Sequence, residues 1–345
     1  MTYKSLGLAA TAVMAFSISA QADARTQMRA VGSSTVYPFA KIVAERIARV
    51  NPRLGTPIIE STGTGAGMKL FCAGVGERFP DVENASRRMK ASEAKLCASN
   101  GVTQITEIQV GLDGLTLAQS KSGQLRNVSP KDIYMAIAAT PFGKPNRAKT
   151  WKDVNGSLPA IPIRVYGPPT TSGTRSSLED LLMEPNCASL PQFQALKKAD
   201  EPKYNKICKG IREDGAYIDA GENDNLIVQK LEGDPVAAGL FGYSFLEENA
   251  NRLKGIPING VAPSYETISS FKYPGARPLF IYVKNAHLQA IPGIRQFAAE
   301  YVRESTFGPQ GYLRQLGLVP SPDTARQRSA RMATSMTPMN AAGLK

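Results

Sequence analysis

The chain has 345 residues, with 41 Lys and Arg against 29 Asp and Glu, a formal net charge of +12. The basic residues are dispersed, no basic run of five occurs, and aromatics make up only 7%. That pattern argues against a nucleic-acid partner and leaves small anions as the species such a field would draw into a cleft. The length suits two domains.

Lys4, an apolar run from Leu6 to Ile18 and Ala22-Asp23-Ala24 follow the order of a secretory signal, residues 1–24, with cleavage expected after Ala24. The run is too short to span a bilayer. No cysteine sits near the cleavage site to take a lipid. The exported chain is expected to start at Arg25.

From there strand and helix signals alternate, which argues for an α/β sheet covered on both faces. A strand from Met28 to Val31 leads to a helix with Phe39, Val43, Ile47 and Val50 on one face. Pro57 to Ser61 reads as a strand, Ala66 to Cys72 as a helix, Asp81 to Ser86 as a strand. A helix from Ala91 to Ser99 stops at Asn100-Gly101. Thr103 to Gly111 and Gly114 to Ala118 read as two strands. Ser129-Pro130-Lys131-Asp132 is a helix start, with a capping serine, proline at the first turn and an acid three residues on. Ile161 to Tyr166 is a strand and Ser177 to Met183 a helix. Glu184 to Glu222 is irregular, and Glu222 to Asp224 is expected to be a solvated turn. Asn225 to Leu231 reads as a helix and Ala237 to Phe245 as a buried strand. Pro278 to Val283 is a strongly apolar strand, followed by a helix from Ile294 to Val302. Apolar periodicity is lost after Pro320, so residues 321–345 are expected to be a mobile tail with at most one short helix.

Four cysteines allow three pairings. Cys72–Cys97 and Cys187–Cys208 are expected, because each closes a short loop and an oxidising compartment favours disulfides. No C-x-x-C occurs and the one histidine, His287, is distant in sequence, so no metal site is expected. His287 reads as a surface residue and Trp151 as a packing residue.

One device recurs. Gly32-Ser33-Ser34-Thr35, Gly63-Thr64-Gly65-Ala66-Gly67 and Thr170-Thr171-Ser172-Gly173-Thr174-Arg175 each join a strand to a helix. A single such turn is an N-cap. Three suggest helix N-termini converging on one oxyanion, since their first N–H groups lack intrahelical partners and the dipoles favour negative charge. None is a Walker loop or a dinucleotide fingerprint.

These turns, with Asn84-Ala85-Ser86-Arg87, Phe241-Gly242-Tyr243 and Arg277-Pro278-Leu279-Phe280-Ile281-Tyr282-Val283, resemble in order the periplasmic phosphate-binding proteins of Pst-type ABC importers. The resemblance covers roughly Met28 to Pro320. It implies a two-lobe α/β periplasmic-binding-protein fold of the type II-like kind, with a hinge and a ligand cleft between lobes. Lobe one would be residues 25–114 plus 270–320, and lobe two residues 115–269. The hinge would lie near Gly111–Gly114 and Ser269-Ser270. It further implies a monomeric, non-enzymatic carrier of inorganic phosphate or arsenate, without cofactor, that docks on inner-membrane permease subunits. A periplasmic oxyanion sensor or adhesion module on the same fold is the alternative, and a phosphatase a more distant one, for no serine here has the G-x-S-x-G context and His287 has no evident partner.

Carried over by motif, Ser33, Ser34, Thr35, Thr64, Ser86, Ser172, Gly173 and Thr174 should hold the anion through hydroxyl and N–H donors. Many family members have an aspartate after the serine of the Asn-Ala-Ser motif, accepting the proton of bound phosphate, and an arginine shortly before Ser-Gly-Thr. Here Arg87 and Gly167-Pro168-Pro169 stand at those places. Arg87 is expected to face the anion as an extra donor, with weaker rejection of sulfate. Arg175 would back the phosphate or pair with a nearby carboxylate. Asp113 is expected to make a hinge hydrogen bond, the alternative being that it accepts the phosphate proton.

Overall fold

The computed structural model describes Arg25 and residues 27–344. The expected signal segment lies outside these residues. Nine strands among the described residues form the frame: β1 Arg29–Gly32, β2 Ile58–Ile59, β3 Val82–Ala85, β4 Ile105–Ser120, β5 Val165–Gly167, β6 Tyr217–Asp219, β7 Ala238–Gly242, β8 Leu253–Gly255 and β9 Ala276–Lys284. They run in the order β2-β1-β3-β9-β4-β7-β5-β6, with β8 also on β4.

The two strands expected around 103–118 are one strand of sixteen residues, β4. Its first part pairs antiparallel with β9, as far as Asp113 opposite Arg277 and Gly114 opposite Ala276. Leu115 to Ala118 then pair antiparallel with β7. Gly111 and Gly114 do not interrupt the strand, because β9 supplies a ladder partner opposite each of them. On one side of this crossing β1 pairs parallel with β2 and β3. On the other β5 pairs parallel with β6 and β7. Each half is therefore a parallel βα arrangement closed by an antiparallel strand. The chain recrosses at Gly275, whose carbonyl accepts the Leu115 N–H, and at Ala276. Ser269 and Ser270, where the second crossing was expected, instead end and cap the helix Tyr265–Ser269.

Parallel strands need both faces covered, and the helices supply this. In the first half the helix Tyr37–Val50 buries Phe39, Ala40, Val43, Ala44 and Ile47 against the sheet and the helix Ile294–Tyr301. The opposite face is packed by the helix Thr64–Phe71 through Met68 and Phe71. The second half packs around Tyr134, Trp151, Leu178 and Phe241. Both disulfides, Cys72–Cys97 and Cys187–Cys208, are present.

Three expectations need correction. The stretch 184–222 holds the helices Glu184–Ala188, Pro191–Ala199 and Glu201–Cys208, then β6. Each is short and opens with proline in its first turn, and their inward residues are few, so no apolar period shows. The C-terminal stretch is a helix, Asp323–Ser335, not a tail. It turns Ser329 and Ala333 inward, residues too small to signal a face, and Met336 follows them into the core. Met339 N–H then bonds the carbonyl of Ile105, at the start of β4. His287 is buried: Nδ1 lies 2.6 Å from Asp81 Oδ1 and Nε2 accepts the Gly76 N–H.

Candidate functional site

The hydroxyl turns meet where β4 and β9 pass between the halves. β1 ends at Gly32, whose φ of +123° turns the chain sharply into Ser33-Ser34-Thr35. Ser33 N–H bonds the Asn84 carbonyl and its Oγ accepts the Val36 N–H at 3.3 Å. The helix itself begins at Tyr37, with no side-chain cap. Ser34 and Thr35 therefore precede the helix rather than cap it. Their N–H groups have no backbone acceptor among the described residues. All three hydroxyl residues are buried.

The second turn ends in Gly63, with φ of +79°, and Thr64 opens the next helix. Thr64 Oγ1 accepts the Ser86 N–H at 3.2 Å and lies 3.4 Å from Ser86 Oγ. The third turn comes from the other half. Ser172 caps its helix by accepting the Thr174 N–H, leaving its own O–H free to donate. Gly173 is pressed against the first half: a Cβ there would collide with Ser86 Oγ and Thr64 Oγ1. Gly65 N–H bonds the Thr171 carbonyl across the same seam. Thr35 Oγ1 and Thr174 Oγ1, one from each half, lie 3.1 Å apart.

Arg277 ties this cluster together. Its side chain is 3% exposed. One terminal nitrogen donates to Thr35 Oγ1 at 3.2 Å, Thr174 Oγ1 at 2.9 Å and Asp113 Oδ2 at 2.8 Å. Nε donates to the same Asp113 oxygen at 3.0 Å, and the other terminal nitrogen reaches the Gly173 carbonyl at 3.4 Å. Asp113 Oδ1 accepts the Tyr243 N–H at 2.8 Å. Burial raises the Asp113 pKa, and the Arg277 fork opposes that rise. Such a pair is costly to break from one side, because the remaining charge is left buried.

Two of the expected binding residues lie elsewhere. Arg87 turns to Glu93, which it holds at 2.9 and 2.6 Å, and to the Arg88 carbonyl. That pairing fastens the start of the helix Ala91–Ser99, and no hydrogen bond from Arg87 enters the cluster. Arg175 pairs with Glu179 at 2.9 Å and lies over the Tyr217 ring. The sequence had assigned the displaced basic group to Arg87, but the guanidinium at the hydroxyls is Arg277. Its signal was present in the Arg-Pro step that opens the apolar run of β9, where a charge at the edge of so apolar a strand needs a buried partner. Two buried acids were also missed. Asp224 belongs to no solvated turn and is 1% exposed. Glu83 sits behind Gly32 and Gly67, with neither carboxyl oxygen bonded among the described residues. Burial drives its pKa well above the ordinary value of 4.5. No cluster of His, Cys, Asp or Glu among the described residues is arranged to hold a metal ion.

A seam of hydroxyl turns and one guanidinium, set between two α/β halves that share their longest strands, defines a solute-binding architecture. The chain belongs to the PBP superfamily, whose domain model matches residues 17–305. Among its relatives, Protein SphX of Synechococcus elongatus is 33% identical over 329 residues, covering 93% of this chain and 85% of that one. Phosphate-binding protein PstS of Staphylococcus haemolyticus is 29% identical over 280 residues, 80% of this chain and 76% of the relative. A crystal structure of a possible phosphate binding protein from Planctomyces limnophilus superposes with a TM-score of 0.58 at 27% identity, covering 90% of this chain and 98% of its own.

Proposed function

We propose that this protein captures inorganic phosphate between its two halves in the periplasm and delivers it to an ABC importer. The observation that carries the reading is the placement of Arg277 between Thr35 and Thr174, hydroxyls from opposite halves. A tetrahedral anion seated there would take the guanidinium charge, the hydroxyls of Thr35, Thr64, Ser86, Ser172 and Thr174, and the N–H groups of Ser34 and Thr35. The hydroxyls that now bond one another would rotate their protons to the anion. Charge-assisted hydrogen bonds of this kind are strong when water is excluded. Asp113 would position Arg277. The names and descriptions of the relatives, phosphate-binding among them, support the choice of anion.

Export through residues 1–24, with cleavage after Ala24, is part of the same proposal. So is a carrier role without catalysis: a hydroxyl nucleophile needs a base, and the chain's one histidine is engaged by Asp81 and Gly76. Arsenate has the same shape and charge and should compete. Calorimetric titration of the chain from Arg25 onward with phosphate, arsenate and sulfate tests the reading, which fails if phosphate gives no saturable binding. Loss of phosphate uptake on deletion of the gene would separate delivery from sensing.

A further inference from the structure

The net charge of +12 is unevenly placed. Between Lys121 and Arg164 stand eight Lys and Arg against two Asp, so half of the chain's net charge falls in this one stretch. Strand direction puts the stretch at the end of the second half remote from the oxyanion seam. β5 and β7 are parallel and both finish at the seam, β5 just before the third hydroxyl turn and β7 at Gly242 beside Thr35. The starts of these strands and of β6, with the end of antiparallel β4, form the opposite pole. Two polar grooves open there. One, of about 940 Å³, has Arg126, Ser157, Pro159 and Lys254 in its wall. The other, of about 580 Å³, has Arg147, Lys149, Pro162 and Arg164. They are neighbours, since the three steps from Pro159 to Pro162 span at most about 11 Å of chain. Arg126, Arg147 and Lys149 are exposed, and neither they nor Lys254 enter an ion pair among the described residues. The carboxylates at this pole are mostly engaged. Asp214 holds Arg212, and Asp234 holds Arg164. Asp132 accepts the Ser129 N–H and the Asn155 amide, and Asp153 accepts the Lys149 and Thr150 N–H groups. Glu213 is exposed without an ion pair and offsets one cation.

We propose that this pole is a docking surface for an anionic phospholipid bilayer, with Arg126, Arg147, Lys149 and Lys254 facing the head groups. Clustered cations on long flexible stems recognise charge density over an area, which a sheet of anionic head groups presents. Neither groove has an aromatic side chain in its wall, so the stacking platform that a nucleic acid would use is missing from them. The large exposed apolar residues, Leu226 and Phe271 among them, line neither groove. The pole therefore adsorbs by charge and does not insert. Adsorption there leaves the seam uncovered, because the seam lies at the other end of β5 and β7. The inference stands apart from the phosphate reading, since neither groove includes a residue of the hydroxyl turns.

The test is sedimentation of the exported chain with vesicles of equal phosphatidylglycerol and phosphatidylcholine, and with phosphatidylcholine alone. The wild type should sediment with the anionic vesicles, stay in solution with the neutral ones, and be released as salt is raised. A cation near such a surface contributes roughly fivefold to partition, so the triple variant Arg126→Gln, Arg147→Gln, Lys149→Gln should lose at least about thirtyfold. A control of equal net charge, Lys41→Gln, Arg328→Gln, Arg331→Gln, neutralises exposed cations of the first half and should keep most of the binding. Phosphate affinity should stay within about twofold in both variants, because the substituted sites are distant from the seam. Equal losses in the two triple variants would show that only net charge matters and overturn the inference. So would a wild type with no preference for anionic over neutral vesicles, an outcome that needs no variant to fold. A wild type that binds soluble inorganic polyphosphate but no vesicles assigns the pole to a soluble polyanion and also overturns it.

Discussion

Replacing Arg277 by methionine separates what the guanidinium does for the fold from what it does for the ligand. Methionine keeps the apolar stem and removes every donor. Asp113 would then lie in the seam with only the Tyr243 N–H on its other oxygen. Removing one partner of a buried pair costs about 3–5 kcal/mol. The same substitution deletes the guanidinium that bonds the hydroxyls of both halves. A hydrogen bond to a charged group contributes about 1.5–3 kcal/mol, so phosphate affinity should fall roughly ten- to a hundredfold. Adding Asp113→Asn to Arg277→Met removes the stranded charge and should recover most of the lost stability, read as the denaturant midpoint. It should recover none of the affinity, read by calorimetry. If the double variant regains tight phosphate binding, Arg277 acts only as a structural counter-ion and its placement at the centre of the site is wrong.

Gly173→Ala should keep the halves apart, because the added methyl meets Ser86 and Thr64 across the seam; phosphate should bind weakly and the particle should scatter as a more extended body than the wild type. Arg87→Ala should leave phosphate affinity within about twofold while lowering stability by about 0.5–2 kcal/mol through loss of the Glu93 pairing at the helix start, measured by titration and by unfolding. Glu83→Gln should remove a pH-dependent loss. The folded pKa of Glu83 lies above the unfolded one, so the native state binds more protons between them and stability falls as pH rises through that window. The variant should match the wild type in acid and exceed it by at least about 1.4 kcal/mol per pKa unit of the rise in alkali. Equal melting temperatures for the two proteins at all pH values would show that this carboxyl is not held neutral.

The parts of the fold legible in the sequence are those in which one local rule acts alone. The helix Tyr37–Val50 has its face written in Phe39, Val43 and Ile47, and the helix at Pro130 is written in its capping box. The three hydroxyl turns were readable because glycine and hydroxyl residues between strand and helix have few other uses. What was hidden depends on partners remote in sequence. Arg277 is meaningful only beside Asp113, 164 residues away. Asp224 looks like an exposed first-turn acid until the helix it opens packs on β7. Arg87 was placed in the site by adjacency to Ser86, but alternate residues of a strand face opposite ways, and as β3 ends its side chain turns to Glu93. The helix Asp323–Ser335 was hidden because its inward residues are small.

β4 is paired over its first part with β9 and over its last part with β7 and β8, so the long crossing between the two halves is a hydrogen-bonded ribbon. Any change in their mutual angle has to be taken up as torsion of a hydrogen-bonded ribbon. The ladder is irregular at one place, the register shift between Gln109 and Gly111, and this is where such a ribbon is most compliant. Opening of the halves, if it occurs, would then be a twist of this ribbon opposed by its ladder hydrogen bonds. A substitution that stiffens or loosens Gln109–Gly111 would alter how fast solute enters and leaves without touching a single group that bonds it.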